Sequence, residues 1–543
     1  MNKNFKSFIA KAIVFAGVFA ATSMQLNAQD KAPKNWFNLD AGQDKVQGVS
    51  TEKSYKELLK GKPSQTVVVA IIDSGVDIAH DDLKEKAWVN KGEIPNNGID
   101  DDKNGYIDDV NGWNFIGGKD GKNVVHDTFE ATRIYKAFKS KFDGKKEADI
   151  SPADKKDFEI YQKAKKSYEE KLQDYKSYKE GWTENYMVVK SVNRLMKAYL
   201  DTDTLTIEML NEVKSKDEKI NYAKQVAIKV IEGGLSEAMI LENLEEINNT
   251  LEYGLSLDYD PRNIVGDNYD NKTEKGYGNG DVKGPDAKHG THVAGIVAAK
   301  RGNGLGIDGV AENVQIMSIR AVPDGDERDK DIANAIRYAV DNGAKIINMS
   351  FGKSFSPDKA IVDAAIRYAE QKGVLLVHAA GNDHKNVDTE ENYPRKEEAD
   401  KRTGALTWLE IGALSWKSGE DAVATFSNYG KKSVDIFSPG VDIYSTTPNQ
   451  KYEDLDGTSM AAPVVSGVAA LLLSYFPHLT AAQLRDILVK SSVKMPKAKV
   501  KKPGAEEGDS LVEFGELSAT GGVVNAFEAV KMAGSIKVKM PKK

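Results

Sequence analysis

Four side chains of this 543-residue chain are of the types that nucleophilic chemistry uses, each in a distinctive short segment. Asp73 ends the apolar run TVVVAIID, and His289 stands in KHGTHVAGIVAA ahead of small residues. Asn382 ends LLVHAAGN, and Ser459 lies in DGTSMAAPVVSGVAALLL before a long apolar stretch. Singly, each is ordinary. An Asp at a strand end caps a turn, an Asn after Gly turns the chain, and a Ser after Gly-Thr caps a helix. His289 and His292 suggest a metal pair, but no third ligand is evident nearby and the chain has no HExxH. Together the four supply a hydroxyl, a base for its proton, a carboxylate to fix the base's tautomer and an amide N–H for an oxyanion. Acyl transfer needs that set. A Ser at a helix N-terminus adds its own backbone N–H and the positive end of the helix dipole. Gly457, Ala461 and Ala462 around it let a substrate backbone come close.

Such groups need a frame. TVVVAIID, VQIMSIRAV, AKIINMSFG and GVLLVHAAGN are continuous apolar runs ending in small or polar residues, the pattern of buried parallel strands. DIANAIRYAVDNG and DKAIVDAAIRYAEQKG between them carry helical periodicity and stop at Gly343 and Gly373. Strand–helix alternation predicts an α/β fold, a doubly wound and mostly parallel central sheet flanked by helices. Sites in such sheets form beyond the carboxyl ends of the strands. The helix starting near Ser459 is apolar almost all round and is expected to be buried.

Residues 127–256 differ. The window 141–180 holds 11 Lys and 10 Asp plus Glu, yet Phe158, Tyr161, Tyr168, Leu172 and Tyr175 share one helical stripe, with Lys165 out of place on it. This predicts an all-α insertion between Asp73 and His289, either a solvated helical hairpin or a lid over substrate. The stretch 494–520 reads as a surface loop and 534–543 as a basic tail.

The motifs also carry a resemblance. DSGVD at 73–77, HGTHVAG at 289–295 and DGTSMAAP at 456–463, with NMSFG at 348–352 and AAGN at 379–382, resemble those of subtilisin-like serine proteases, the subtilases, in the same Asp–His–Ser order. The resemblance covers roughly 65–125 and 280–533, which gives a catalytic domain of 66–126 and 257–533 and leaves the helices outside it. It implies Ser459 as nucleophile, His289 as general base and then acid, and Asp73 as the group that orients His289. It implies the Asn382 side chain and the Ser459 backbone N–H as the oxyanion hole. Ser350, Phe351 and Gly352 would form one cleft wall, pairing with substrate as an added strand, and Ala379, Ala380 and Gly381 would face them across the primary specificity pocket. Ala462 and Val464 stand where the family often has Ser and His. The family's folding propeptide would lie at 29–65, a segment short for that role.

GIDDDKNGYIDDVNGW suggests a second site. Asp100, Asp102, Asn104, Tyr106 (through its carbonyl) and Asp108 follow the opening spacing of a calcium loop, although the twelfth place is Asn111 rather than Glu. A structural Ca²⁺ is the expectation and an Asp/Asn turn cluster the alternative; no catalytic cofactor is expected. The resemblance alone adds Asp82 as a ligand.

Composition sets the rest. Lys plus Arg is 75 and Asp plus Glu 82, so a formal net charge of −7 disfavours a nucleic-acid partner. The absence of cysteine excludes disulfides, thiolate zinc sites and a thiol nucleophile. Lys3, Lys6 and Lys11 around the ten apolar residues 12–21, with a cut near Ala28, read as an export signal spanning 1–28. The expected protein is periplasmic, cell-surface or extracellular, without a stable membrane span once the signal is removed, and acts on peptides or proteins. The rivals are a transpeptidase or processing enzyme of the same chemistry, and a non-catalytic binding protein on a protease scaffold.

Overall fold

The computed structural model describes residues 31–396, 407–506 and 508–536. The expected export signal lies outside them, as do all but the first three residues of the expected basic tail. The chain divides into two compact units, one of 131–259 and one of 31–130 with 260 onward.

The larger unit is built on a nine-stranded sheet. Its parallel strands are β1 (Val67–Asp73), β2 (Gly112–Asn114), β3 (Val314–Arg320), β4 (Ile346–Met349), β5 (Leu375–Ala379), β6 (Trp408–Leu414) and β7 (Ile436–Pro439). They lie in the order β7-β6-β5-β4-β1-β3-β2. Gly522–Val523 continues the sheet parallel to β7, and Val493–Lys494 closes that edge antiparallel. After β1 the chain visits β2 and β3 on one side and then crosses to β4 on the other, so a crevice opens at the carboxyl ends of β1, β4 and β5.

The apolar runs explain this architecture. Both faces of the sheet are covered, so successive side chains enter different cores: Val67, Val69 and Ile71 join one cluster, Ala70 and Ile72 the other. The second cluster rests on the helices Asp329–Asp341 and Lys359–Gln371. Gly343 and Gly373 follow these with φ of +87° and +72°, values at which glycine carries no Cβ penalty. The first cluster surrounds the helix Thr458–Tyr475 and takes in the helix Lys288–Ala298. Among the described residues Thr458–Tyr475 is the one helix long and apolar enough to cross a membrane, and 83% of it is buried inside the protein. It packs so closely that a Cβ on Gly467 would fall 2.5 Å from Val310 Cβ.

Two stretches are more deeply built in than their composition suggests. Trp36, Phe37, Val46, Val49 and Leu59 belong to the first core, and Trp36 Nε1 donates to the Asp442 carbonyl at 3.1 Å. The expected loop 494–520 forms the small hairpin of Lys499–Val500 and Val512–Glu513, and it buries Val500, Phe514 and Leu517 beside Phe437. Its lysines and glycines hide these anchors.

The smaller unit is helical. Its longest element is Lys155–Leu200, 46 residues, accompanied by Ile207–Glu212, Glu218–Glu232 and Glu237–Asn249. Phe158 and Tyr161 are buried with Tyr135 and Phe142, and Tyr168 packs against them. Lys165, the cation on that stripe, reaches Asp143 at 2.7 Å, and the same carboxylate accepts from Tyr161 Oη. A separate cluster of Val192, Met196, Leu210 and Ile220 joins the later helices.

Candidate active site

Asp73 closes β1 with a side chain 2% exposed. Its Oδ1 accepts from Ser74 N at 2.8 Å and from His289 Nδ1 at 2.7 Å. His289 is the second residue of the helix Lys288–Ala298, which comes this near only because Gly290 follows. A Cβ there would lie 2.2 Å from the Gly75 carbonyl and 3.1 Å from Asp73 Oδ1. Thr291 Oγ1 accepts from Asp77 N at 2.8 Å, which locks the DSGVD segment to the HGTH segment. Burial favours the neutral His289 ring. The Asp73 charge and hydrogen bond outweigh it, with the Asp286 charge adding, and hold the pKa above the ordinary 6.5.

His292 has a different role. Fully buried, it meets the Glu453 carbonyl through Nε2 at 3.0 Å, and burial drives its pKa down to about 3. It is a neutral core histidine that fastens the helix to a hairpin, not half of a metal pair.

Ser459 opens the buried helix. Its Oγ donates to the Ser350 carbonyl at 3.3 Å and makes no hydrogen bond to the His289 ring in this arrangement. In return Ser350 Oγ donates to the Ser459 carbonyl at 2.8 Å. Behind them Ser466 Oγ donates to Asn348 Oδ1, and Asn348 Nδ2 donates to Ser350 Oγ. Asn382 Oδ1 accepts from both Thr458 N and Thr458 Oγ1, at 2.9 and 2.8 Å, so the amide cannot flip and its NH₂ group is the donor it presents. Gly457 marks where the donors converge. A Cβ built on it, at φ +152°, would lie 3.4 Å from Ser459 N and 3.5 Å from Asn382 Nδ2. The space a side chain would fill lies within 3.5 Å of both nitrogens.

Ser350, Phe351 and Gly352 leave the end of β4, while Ala379 ends β5 and leads into Ala380 and Gly381. β4 and β5 are paired through Met349 and His378, so the two segments start side by side. Asn392, which the motifs did not single out, lies between them. Its Nδ2 donates to the Ala380 carbonyl at 3.0 Å, and Cβ atoms on Gly352 and Gly381 would come within 3.0 and 3.7 Å of its amide.

The acidic loop is arranged differently from its spacing. Carboxylate oxygens of Asp100, Asp102 and Glu93 gather within 4.8 Å of one another. Glu93 lies upstream of the spaced motif, and no signal in the loop points to it. Asp108 turns instead to the backbone amides of Asn97 and Gly98. Asn104 donates through Nδ2 to Asp102 and Asp109, and Tyr106 packs its ring on Trp113 and Tyr338. Asp82 accepts from Tyr452 Oη at 2.7 Å and from Asn303 Nδ2.

Comparison with known proteins identifies the frame. The Subtilase family model matches residues 64–515. The chain belongs to the subtilase family. A "Thermophilic serine proteinase" of Bacillus sp. is 41% identical over 187 residues, 34% of this subtilase and 42% of that protein. "Minor extracellular protease Epr" of Bacillus subtilis is 33% identical over 258 residues, 47% of this chain and 37% of that one. "Thermitase" of Thermoactinomyces vulgaris is 39% identical over 187 residues, 34% of this chain and 61% of that one. The subtilase thus spans less than two thirds of each of these relatives.

The charge that raises the His289 pKa can be removed directly. By NMR the ring of the wild type titrates above 6.5, and in Asp73→Asn, which removes the charge that raises it, the midpoint falls. An unchanged midpoint would show that Asp73 does not govern the ring.

Proposed function

We propose that this subtilase is an exported serine endopeptidase that hydrolyses peptide bonds through an acyl-enzyme. The observation that carries the reading is the pairing of His289 Nδ1 with Asp73 at 2.7 Å, and it is supported by the space at Gly457 that lies within 3.5 Å of both Ser459 N and Asn382 Nδ2. With Nδ1 engaged, Nε2 is the nitrogen left for the reaction. Ser459 Oγ leaves the Ser350 carbonyl, passes its proton to Nε2 and attacks the substrate carbonyl carbon. The negative charge grows on the substrate oxygen at the two N–H donors, already oriented by Thr458 and by the helix start. His289 then protonates the departing amine, and water releases the acyl group by the reverse sequence. Ser350, Phe351 and Gly352 hold substrate backbone as an added strand, and Asn392 lies between that wall and Ala379, Ala380 and Gly381. A relative named as extracellular agrees with the export signal in the sequence.

The acidic loop is proposed to hold a structural Ca²⁺. Glu93, Asp100 and Asp102 offer hard oxygen ligands close enough to share one ion, and three crowded carboxylates need a counter-charge. Their backbone-amide bonds pre-set the loop, since Glu93 Oε1 accepts from Asp101 N and Asp102 N.

Fluorophosphonate labelling tests the central claim. The folded wild type takes up the probe covalently and Ser459→Ala does not; equal labelling of the two rejects the reading. Asn382→Ala removes one of the two oxyanion donors and lowers kcat by roughly 10²–10³, the cost of losing such a donor, with the folded state retained by circular dichroism. Chelation of Ca²⁺ lowers the Tm of the inactive Ser459→Ala chain by roughly 5 °C. Glu93→Gln abolishes that difference, and equal melting with and without Ca²⁺ argues against the ion.

A further inference from the structure

β5 reads LLVHA, and its histidine is out of character for a strand buried on both faces. His378 is 0% exposed. Its Nε2 lies 2.8 Å from the Phe351 carbonyl and its Nδ1 2.9 Å from Glu410 Oε1, on the paired position of β6. Glu410 is itself buried, and its Oε2 accepts from Trp408 Nε1 at 2.9 Å. A carbonyl only accepts, so Nε2 carries a hydrogen. The contact at Nδ1 then needs one proton, held by either the ring or the carboxyl. Every polar atom of the pair is thus used, and one of the uses lies outside the two strands, on the wall residue Phe351.

That contact has a geometric consequence. In a trans peptide the C=O and the following N–H point opposite ways. With the Phe351 carbonyl drawn inward to His378, the Gly352 N–H is turned the other way, and among the described residues no group accepts from it. An extended substrate chain adding to this wall needs such an outward donor. We infer that His378, its ring held in place by Glu410, is a positioning residue that acts through the Phe351 carbonyl to aim the Gly352 N–H at the main chain of a bound peptide. The inference rests on the endopeptidase reading. It adds that the enzyme favours extended peptides over single-residue substrates through this buried pair.

Three variants separate positioning from general stability. His378→Phe keeps a ring and loses both hydrogen bonds. Glu410→Leu removes the partner. Glu410→Gln keeps the network, because its amide donates to Nδ1 while its oxygen accepts from Trp408. Each is assayed on a blocked tetrapeptide anilide and on a single-residue ester with the same acyl-side residue. His378→Phe and Glu410→Leu raise KM for the tetrapeptide about tenfold, the worth of one well-placed hydrogen bond. Their kcat, and all constants for the ester, stay within about twofold of wild type. Glu410→Gln behaves as wild type. Parallel losses on both substrates, a fall in Tm with no change in KM, or a Glu410→Gln as damaged as Glu410→Leu overturns the inference. If His378→Phe does not fold, the two Glu410 variants decide. A wild type inert toward both substrates and toward fluorophosphonate overturns the endopeptidase reading, and this inference with it.

Discussion

The 2.7 Å hydrogen bond from His289 Nδ1 to Asp73 Oδ1 is the constraint to which the neighbouring backbone conforms. It joins the last residue of a central strand to the first turn of a helix that lies 216 positions further along the chain. Such a joint forms only where strand and helix nearly touch, which explains the bare glycine at 290 against the Gly75 carbonyl and the Thr291 to Asp77 lock beside it. The second oxygen of Asp73 is buried and receives no hydrogen bond among the described residues, so the carboxylate's stabilisation comes mainly through one oxygen shared by the ring and Ser74 N. A buried oxygen left without a partner costs stability.

This arrangement sets stability against reactivity. A histidine whose pKa is raised on folding stabilises the fold at pH below its unfolded value, and that stabilisation is lost as pH rises through the folded value. On the proposed mechanism the ring serves as base only after that loss, when it is neutral. The remainder of the site compensates with groups that do not titrate: the Thr458 clamp on Asn382, the exchange of hydrogen bonds between Ser350 and Ser459, and the buried helix behind them. Asp73 closes a strand, and His289 and Ser459 lie in the first turns of two helices, where packing holds their backbone.

What could be read in advance follows from how local each signal is. The apolar runs specified the strands because a strand covered on both faces must be apolar at every position, and Gly343 and Gly373 marked helix ends because left-handed backbone favours glycine. Asp73, His289, Asn382 and Ser459 stood out because each sits in a run whose neighbours have little other reason to be so small or so ordered. The remainder is carried by contacts between distant segments. Asn392 gains its position only when the β4 and β5 walls come together, and Glu93 joins Asp100 and Asp102 only once the loop has folded back. His378 and Glu410 look like two isolated polar residues until strand register sets them side by side. Phe514 and Leu517 are lost among lysines and acids because a few anchors suffice to seat a long polar stretch.

The early residues Val49 and Ser50 meet the last helix of the described chain: the Val49 carbonyl accepts from Ala526 N at 2.7 Å, and Ser50 Oγ accepts from Asn525 Nδ2 at 2.9 Å. The core that mounts Ser459 therefore takes in one segment that precedes Asp73 and another that follows Ser459. Loosening either of those segments therefore loosens the mount of Ser459, although neither carries a residue of the site.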